Sequence, residues 1–226
     1  MTVQRGKIHF CDHFNRAQAL TTTPGFNGWT VKDTSSSGTP TYLCVSEPGG
    51  AMKLSLVATS EEEIVTMYHN DVLTIDPNKL NYLRWIAKVA SIDSATTLVI
   101  GVASAQNDTE DSVARHAWFR VEGSASTSNI VVESDDNTTD LDDKATGKTL
   151  SSTYLDLMID FQNGLSDVRF FVDGQRVASG TTFDMDQIGT TNYLQPFVQI
   201  HKASGTGTPS VSLAMFEYEA QYAYGA

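Results

Sequence analysis

Long apolar runs are missing from this sequence, and so are basic patches, paired cysteines and sustained helical periodicity. No apolar stretch approaches the roughly 18 residues that cross a bilayer. The first residues, MTVQRGKIHFCDHF, contain neither a continuous apolar core nor a small-residue cleavage site. No secretory signal is therefore expected there, and the chain is expected to be made in cytosol. Fifteen Lys and Arg stand against 27 Asp and Glu, a formal net charge of −12. Such a chain has no surface able to release counterions from a nucleic-acid backbone, nor one that an anionic membrane would attract. Cys11 and Cys44 are the only cysteines, and no Cys-x-x-Cys exists, which excludes a redox motif and a zinc ribbon. In a cytosolic protein the two are expected to be reduced and packed.

What is present is alternation. Across 154–178, Leu155, Leu157, Ile159 and Phe161 alternate with Tyr154, Asp156, Met158 and Asp160, the period of a strand with one buried face. Gln162-Asn163-Gly164 breaks the run, and Val168, Phe170 and Val172 resume it. Asp173-Gly174 tolerates the positive φ angles of a type I′ turn, so 154–178 reads as a three-strand meander. Leu83, Trp85, Ala87 and Val89 share a face of another strand over 80–90, and the apolar 96–103 reads as a strand covered on both sides. Further strands are expected near 8–12, 42–45, 51–58, 64–68, 117–121, 129–133, 194–201 and 211–222, with one short helical turn within 183–189. Glu61-Glu62-Glu63 reads as a solvated strand edge. A dozen strands with frequent turn signals make an all-β, two-sheet antiparallel jelly-roll sandwich, and 226 residues suit one such domain, 1–226, with short terminal segments free for attachment.

The run LDLMIDFQNGLSDVRFFVDGQRVAS resembles the strand–turn–strand–hairpin of concanavalin A-like sandwiches, the group of legume lectins, laminin-G-like modules, laminarinase-type glucanases and many bacteriophage virion proteins. KLNYLRWIAKVAS resembles their central strand, SVSLAMFEYEAQY their closing strand, and the Asp-x-Phe near the start their opening Asp-Asp-Phe. Because that group includes glycosidases, paired carboxylates matter: hydrolysis with retention needs two carboxyls about 5 to 5.5 Å apart. Laminarinase-type enzymes carry theirs as Glu-x-Asp-x-x-Glu on one strand, and no strand here has that pattern. Glu61-Glu62-Glu63 is contiguous, Glu133-Ser134-Asp135-Asp136 runs into a loop, and Glu217 and Glu219 share a face without a third partner. His9, His13, His69, His116 and His201 are scattered and accompany no Gly-x-Ser-x-Gly elbow. No catalytic residue and no cofactor is assigned, and the chain is not expected to be an enzyme.

Two binding features remain. Asp135, Asp136, Asn137, Asp140, Asp142 and Asp143 offer enough oxygens for calcium but lack the EF-hand glycine, so a solvated acidic loop is the plainer reading. Trp29, Trp85 and Trp118 could stack on sugar rings; Trp85 shares a core face, while Trp118 alternates opposite Phe119 and is the best candidate for an exposed aromatic.

HAWFRVEG, NIVVESDD, VRFFVDGQRVA and LQPFVQIHKASG, over 116–205, resemble the strand order of sandwich proteins encoded in phage structural gene blocks. That resemblance implies a non-enzymatic capsid decoration or cement protein in a virion, bound to the major capsid protein or another virion protein and oligomeric on the particle. The alternative it leaves open is a lectin-like carbohydrate-binding module or adhesin for host glycans. Arg5 and Lys7 form the one locally basic stretch, and Tyr218, Tyr222 and Tyr224 are aromatics of the type enriched in interfaces, so these five are the expected attachment residues.

Overall fold

Alternating strands become two stacked antiparallel sheets in the computed structural model, which describes residues 4–224 and the side chains of 6–222. The larger sheet runs β13 (Gln175–Val177), β12 (Arg169–Val172), β11 (Leu155–Asp160), β6 (Leu80–Ala90), β15 (Ser210–Tyr224), β4 (Ala51–Ser55) and β3 (Thr41–Val45), with β1 (Gln4–Asp12) also paired to β15. The second sheet runs β10 (Asp140–Thr149), β9 (Asn129–Asp135), β8 (His116–Glu122), β7 (Thr96–Ala103), β14 (Gln195–Lys202), β5 (Glu63–Tyr68) and β2 (Thr30–Asp33). Half of the residues are in strands and 6% in helical turns, as the absence of 3.6-residue periodicity implied. Among the described residues no helix is long and apolar enough to cross a membrane.

The long strand β15 lies at the centre of the larger sheet rather than at its margin. It holds β6 along one side and, along the other, first β4 and then β1. Its inward residues Val211, Leu213 and Phe216 meet Trp85 and Leu83 of β6, and the Trp85 and Phe216 rings lie 4.3 Å apart. Trp85 also donates Nε1–H to the Gly101 carbonyl of the opposite sheet at 3.2 Å, so the indole's one polar atom is satisfied inside the core. Val65, Met67, Leu98, Ile100, Phe119, Val132, Val198 and Ile200 supply the other half of that core. Asp12, at the end of β1, is buried and accepts from Phe14 N, Arg16, Asn27 and Trp29 Nε1, which fixes the long link from β1 to β2.

The meander forms as its sequence predicts. β11 pairs with both β6 and β12, and β12 pairs with β13 around Asp173 and Gly174. Both turn residues have positive φ, 50° and 72°, the signature of a type I′ turn. A Cβ at Gly174 would touch nothing within 4 Å, so only backbone strain opposes a side chain there. Gly174→Ala is therefore expected to cost about 1 kcal/mol, and to lower the melting temperature by roughly 2–4 °C. Gly180→Ala, equally unobstructed but without a positive φ, is the control in the same melting experiment and should shift far less.

Three sequence expectations change. The segment 133–147 is mostly strand, β9 and the bulged β10, not an acidic loop. Glu63 is not a solvated edge charge: it is fully buried and paired with Lys202. Trp118 is fully buried, not exposed.

Candidate functional site

The second sheet turns one face to the core and the other to a long connection, 104–115, between β7 and β8. The register sets the outer face in rows across the strands. Glu133, Trp118, Gly101, Phe197 and Tyr68 form one row; Val131, Arg120, Val99, Gln199 and Thr66 form the next. Gly101 has to be glycine, because a Cβ would lie 2.2 Å from the Ala117 carbonyl oxygen and 2.6 Å from Trp118 Cα. On this face Val99, Ala103, Trp118, Phe197, Tyr68 and Val113 make a second apolar cluster, separate from the main core. His116 stacks on Trp118 with ring centres 3.6 Å apart and planes 11° apart.

The connection covers this cluster and is tied at its rim by polar contacts. Lys32 reaches Gln106 Oε1 at 2.6 Å and Asp108 at 3.1 Å. Gln199 Nε2 donates to the Asp108 carbonyl at 3.0 Å. The two ring nitrogens of His201 lie 3.2 Å from Glu110 and from Glu62. The hydrogen bond to Glu110, reinforced by both carboxylates and opposed by burial, raises the pKa of His201. Asp111, 69% exposed at its side chain, meets Arg120 at 2.8 Å. Only Val113 anchors the segment in the apolar cluster. The connection is thus a flap closed over the face by ion pairs at its edge.

Beneath it sits one carboxyl, Glu133, which the solvent-exposed Asp143 of the neighbouring strand approaches at the rim. Glu133, 1% exposed, accepts from Trp118 Nε1 at 2.6 Å and meets Arg120 at 3.2 Å. Burial, opposed by Arg120 and Trp118 and assisted by a hydrogen bond with Asp143, pushes its pKa up to about 7. Asp143 reaches it because β10 slips register between Leu141 and Lys144, with Asp143 itself at φ 51°. Asp142, on the same bulge, is also raised, by burial and by Asp140. Burial holds the His116 imidazole down at about 4, and its Nδ1–H donates to the Val113 carbonyl. Three polar atoms of this face are buried without a partner among the described residues: His116 Nε2, Arg120 Nε and Gln199 Oε1. A carboxyl poised near neutrality, an indole, a guanidinium and unsatisfied donors and acceptors could hold or protonate a hydroxyl-rich ligand.

Of the expected site residues only Asp142 and Asp143, on the β10 bulge, come near this face; the others fall elsewhere. Asp135 accepts from Asn137 N, and the buried Asp136 accepts from Thr138 N, Thr139 N and Gln187 N, which ties the β9–β10 turn to the turn at Asp186–Ile188. Asp140 lies opposite Asp135. Among the described residues no group of three His, Cys, Asp or Glu side chains is placed to hold a metal ion. Lys7 pairs with Glu219 at 3.0 Å, Tyr218 stacks on Phe10 at 5.6 Å, and the Tyr222 hydroxyl lies 3.4 Å from Thr74 O and from Asp76 N. The side chains of Arg5 and Tyr224 lie outside the described residues. Glu217 pairs with Arg84 and His9 on the outer face of the larger sheet, away from the flap. The Glu133–Asp143 pair escaped sequence reasoning because the search followed a single strand, and a bulge brings in the partner from the next one.

No protein-family model matches this chain, and no curated protein does. Solved structures match in fold. A protein of unknown function from Shewanella oneidensis is 11% identical with a TM-score of 0.58, over 100% of this chain and 92% of that one. A Bacillus licheniformis β-glucanase is 16% identical with a TM-score of 0.58, over 93% and 97%. The carbohydrate recognition domain of Emp46p in its potassium-bound form is 8% identical with a TM-score of 0.53, over 93% and 94%. The fold is a concanavalin A-like jelly-roll sandwich. The expectation that the chain is not an enzyme is corrected: the same sandwich carries a glucanase, and the missing one-strand motif does not exclude catalysis in a chain that assembles a carboxyl pair from two strands.

Proposed function

We propose that this chain is a lectin-like carbohydrate-binding module whose glycan site is the outer face of the second sheet, beneath the flap 104–115. The observation that supports this reading is the set of unpartnered polar atoms on the covered face, His116 Nε2, Arg120 Nε and Gln199 Oε1. Each buried polar atom left unpaired costs about 1–3 kcal/mol, and native proteins keep few of them. Sugar hydroxyls both donate and accept, so a glycan would satisfy this set where an apolar ligand would not. The Emp46p domain and the β-glucanase, with this sandwich, have names that speak of carbohydrate. None of the similar structures described above is named as a virion protein, and the capsid setting is not carried forward.

Asp111→Asn tests the reading on a glycan array followed by calorimetry. Weakening the exposed Asp111–Arg120 tie, worth about 0.2–1 kcal/mol, should raise the open fraction of the flap and tighten binding up to about fivefold. Arg120→Met should abolish binding. If neither the parent nor Asp111→Asn retains any glycan, the reading fails. Release of reducing ends in the same mixtures, lost in Glu133→Gln, would make the carboxyl pair catalytic.

A further inference from the structure

A second site lies on the outer face of the larger sheet, remote from the flap and independent of it. The register of β6, β15 and β4 sets Lys88, Ser212 and Lys53 side by side in one row, with Ser210 beside Ala90 in the next. With Ser152 and Glu47 these side chains line a cavity of about 180 Å³. Glu47 Oε2 accepts from Lys88 Nζ and from the Tyr154 hydroxyl, both at 2.7 Å, and the Lys88 hydrogen bond is the main cause holding its carboxyl below the usual range. Lys88 also lies 4.5 Å over the Tyr154 ring. Lys88 is thereby neutralised and fixed as a wall.

Lys53 is not. Its ammonium feels the Glu47 carboxylate but forms no ion pair or hydrogen bond among the described residues, and two lysines against one carboxylate leave the cavity one positive charge in excess inside a chain of net charge −12. Ser210 and Ser212 form the floor, 5% and 4% exposed. Their hydroxyls have no protein partner among the described residues, although both face the cavity. An ammonium and two unpartnered hydroxyls that open onto the cavity, set on adjacent strands of a sheet, form an arrangement that recognises a negatively charged oxygen group. At about 30 Å³ per water, the space suits one such group and its nearest atoms, not a polymer.

We propose that this cavity binds a small oxyanion of the carboxylate or sulfate class, held by Lys53 Nζ and the hydroxyls of Ser210 and Ser212. The oxyanion could be borne by an acidic sugar or be free in solution, and the test separates the two.

Nitrogen-15 spectra of the full chain would be recorded during titration with sodium sulfate and, separately, sodium glucuronate, at ionic strength fixed with sodium chloride. Saturating shifts are expected at the amides of Lys53, Lys88, Ser210 and Ser212. Tighter binding of glucuronate assigns the site to acidic sugars, and tighter binding of sulfate to free anions. Lys53→Met should weaken binding at least tenfold, as expected for loss of a charge-assisted contact. Lys148→Met, which removes the same charge elsewhere, should leave it unchanged. Ser212→Val keeps the charge and fills the floor with methyl groups, and it should abolish saturation without lowering the melting temperature. Shifts that stay linear for both anions, or equal losses in Lys53→Met and Lys148→Met, overturn the proposal.

Discussion

Lys202→Met is expected to lower the melting temperature by roughly 10 °C, the largest effect of any single substitution considered, from a cost of about 3–5 kcal/mol for breaking a buried ion pair from one side. Lys202 ends β14, and both it and Glu63 at the start of β5 have no exposed surface. The ammonium lies 2.5 Å from Glu63 Oε2 and donates to the carbonyls of Val57, Thr59 and Gly207 at 2.5, 3.1 and 3.2 Å. One cation thus ties together two strands and two loops that meet at that end of the second sheet. Methionine matches the length of the lysine stem but leaves three carbonyls without that donor and a buried carboxylate with the Val57 N–H and no counter-charge. The double variant Lys202→Met, Glu63→Leu removes both charges and should recover much of the loss, because an apolar pair of similar volume is often no worse than the ion pair it replaces. Thermal unfolding of the three proteins decides it. A single variant that melts within a degree or two of the parent would show that this cage carries no net stability.

That pair also shows where a sequence stops being readable. Alternation reports which residues share a face, and it placed Leu83, Trp85 and the 154–178 meander correctly, because each packs against a single contiguous core. It does not report what lies over a face. Trp118 alternates onto the side that an isolated sheet would offer to solvent, yet the 104–115 connection folds across it. Glu63 looks solvated within Glu61-Glu62-Glu63, and its burial follows from Lys202, 139 residues later, at its register position. Asp143 joins Glu133 only through a bulge, which shifts parity within one strand and leaves no mark that a two-residue period can detect.

Glu133→Gln should change how stability depends on pH more than it changes stability itself. The Glu133 carboxyl rises from 4.5 unfolded to about 7 folded, chiefly through burial, against the pull of Arg120 and Trp118. The folded state therefore binds this proton more tightly than the unfolded chain does. Below about pH 4.5 both states are protonated and the group carries no penalty; as pH rises through 7, a charge must be buried and stability falls. The shift corresponds to a loss of roughly 3 kcal/mol across that window. His69 and His116, both held down at about 4 by burial, act in the opposite direction between pH 4 and 6.5, because the unfolded chain takes up their protons first. The total curve mixes these contributions, so the difference between variant and parent is the quantity to measure. Glutamine keeps an acceptor for Trp118 Nε1 and stays neutral at every pH, and both histidines are common to the two proteins. Relative to the parent, Glu133→Gln should be near neutral or mildly destabilised at pH 5 and progressively more stable toward pH 8, read as the difference in denaturant midpoints. A difference that is flat with pH would show that Glu133 does not titrate in this window. That flat outcome would mean that the pairing with Arg120 outweighs burial, leaving a charged carboxylate under the flap at every pH tested.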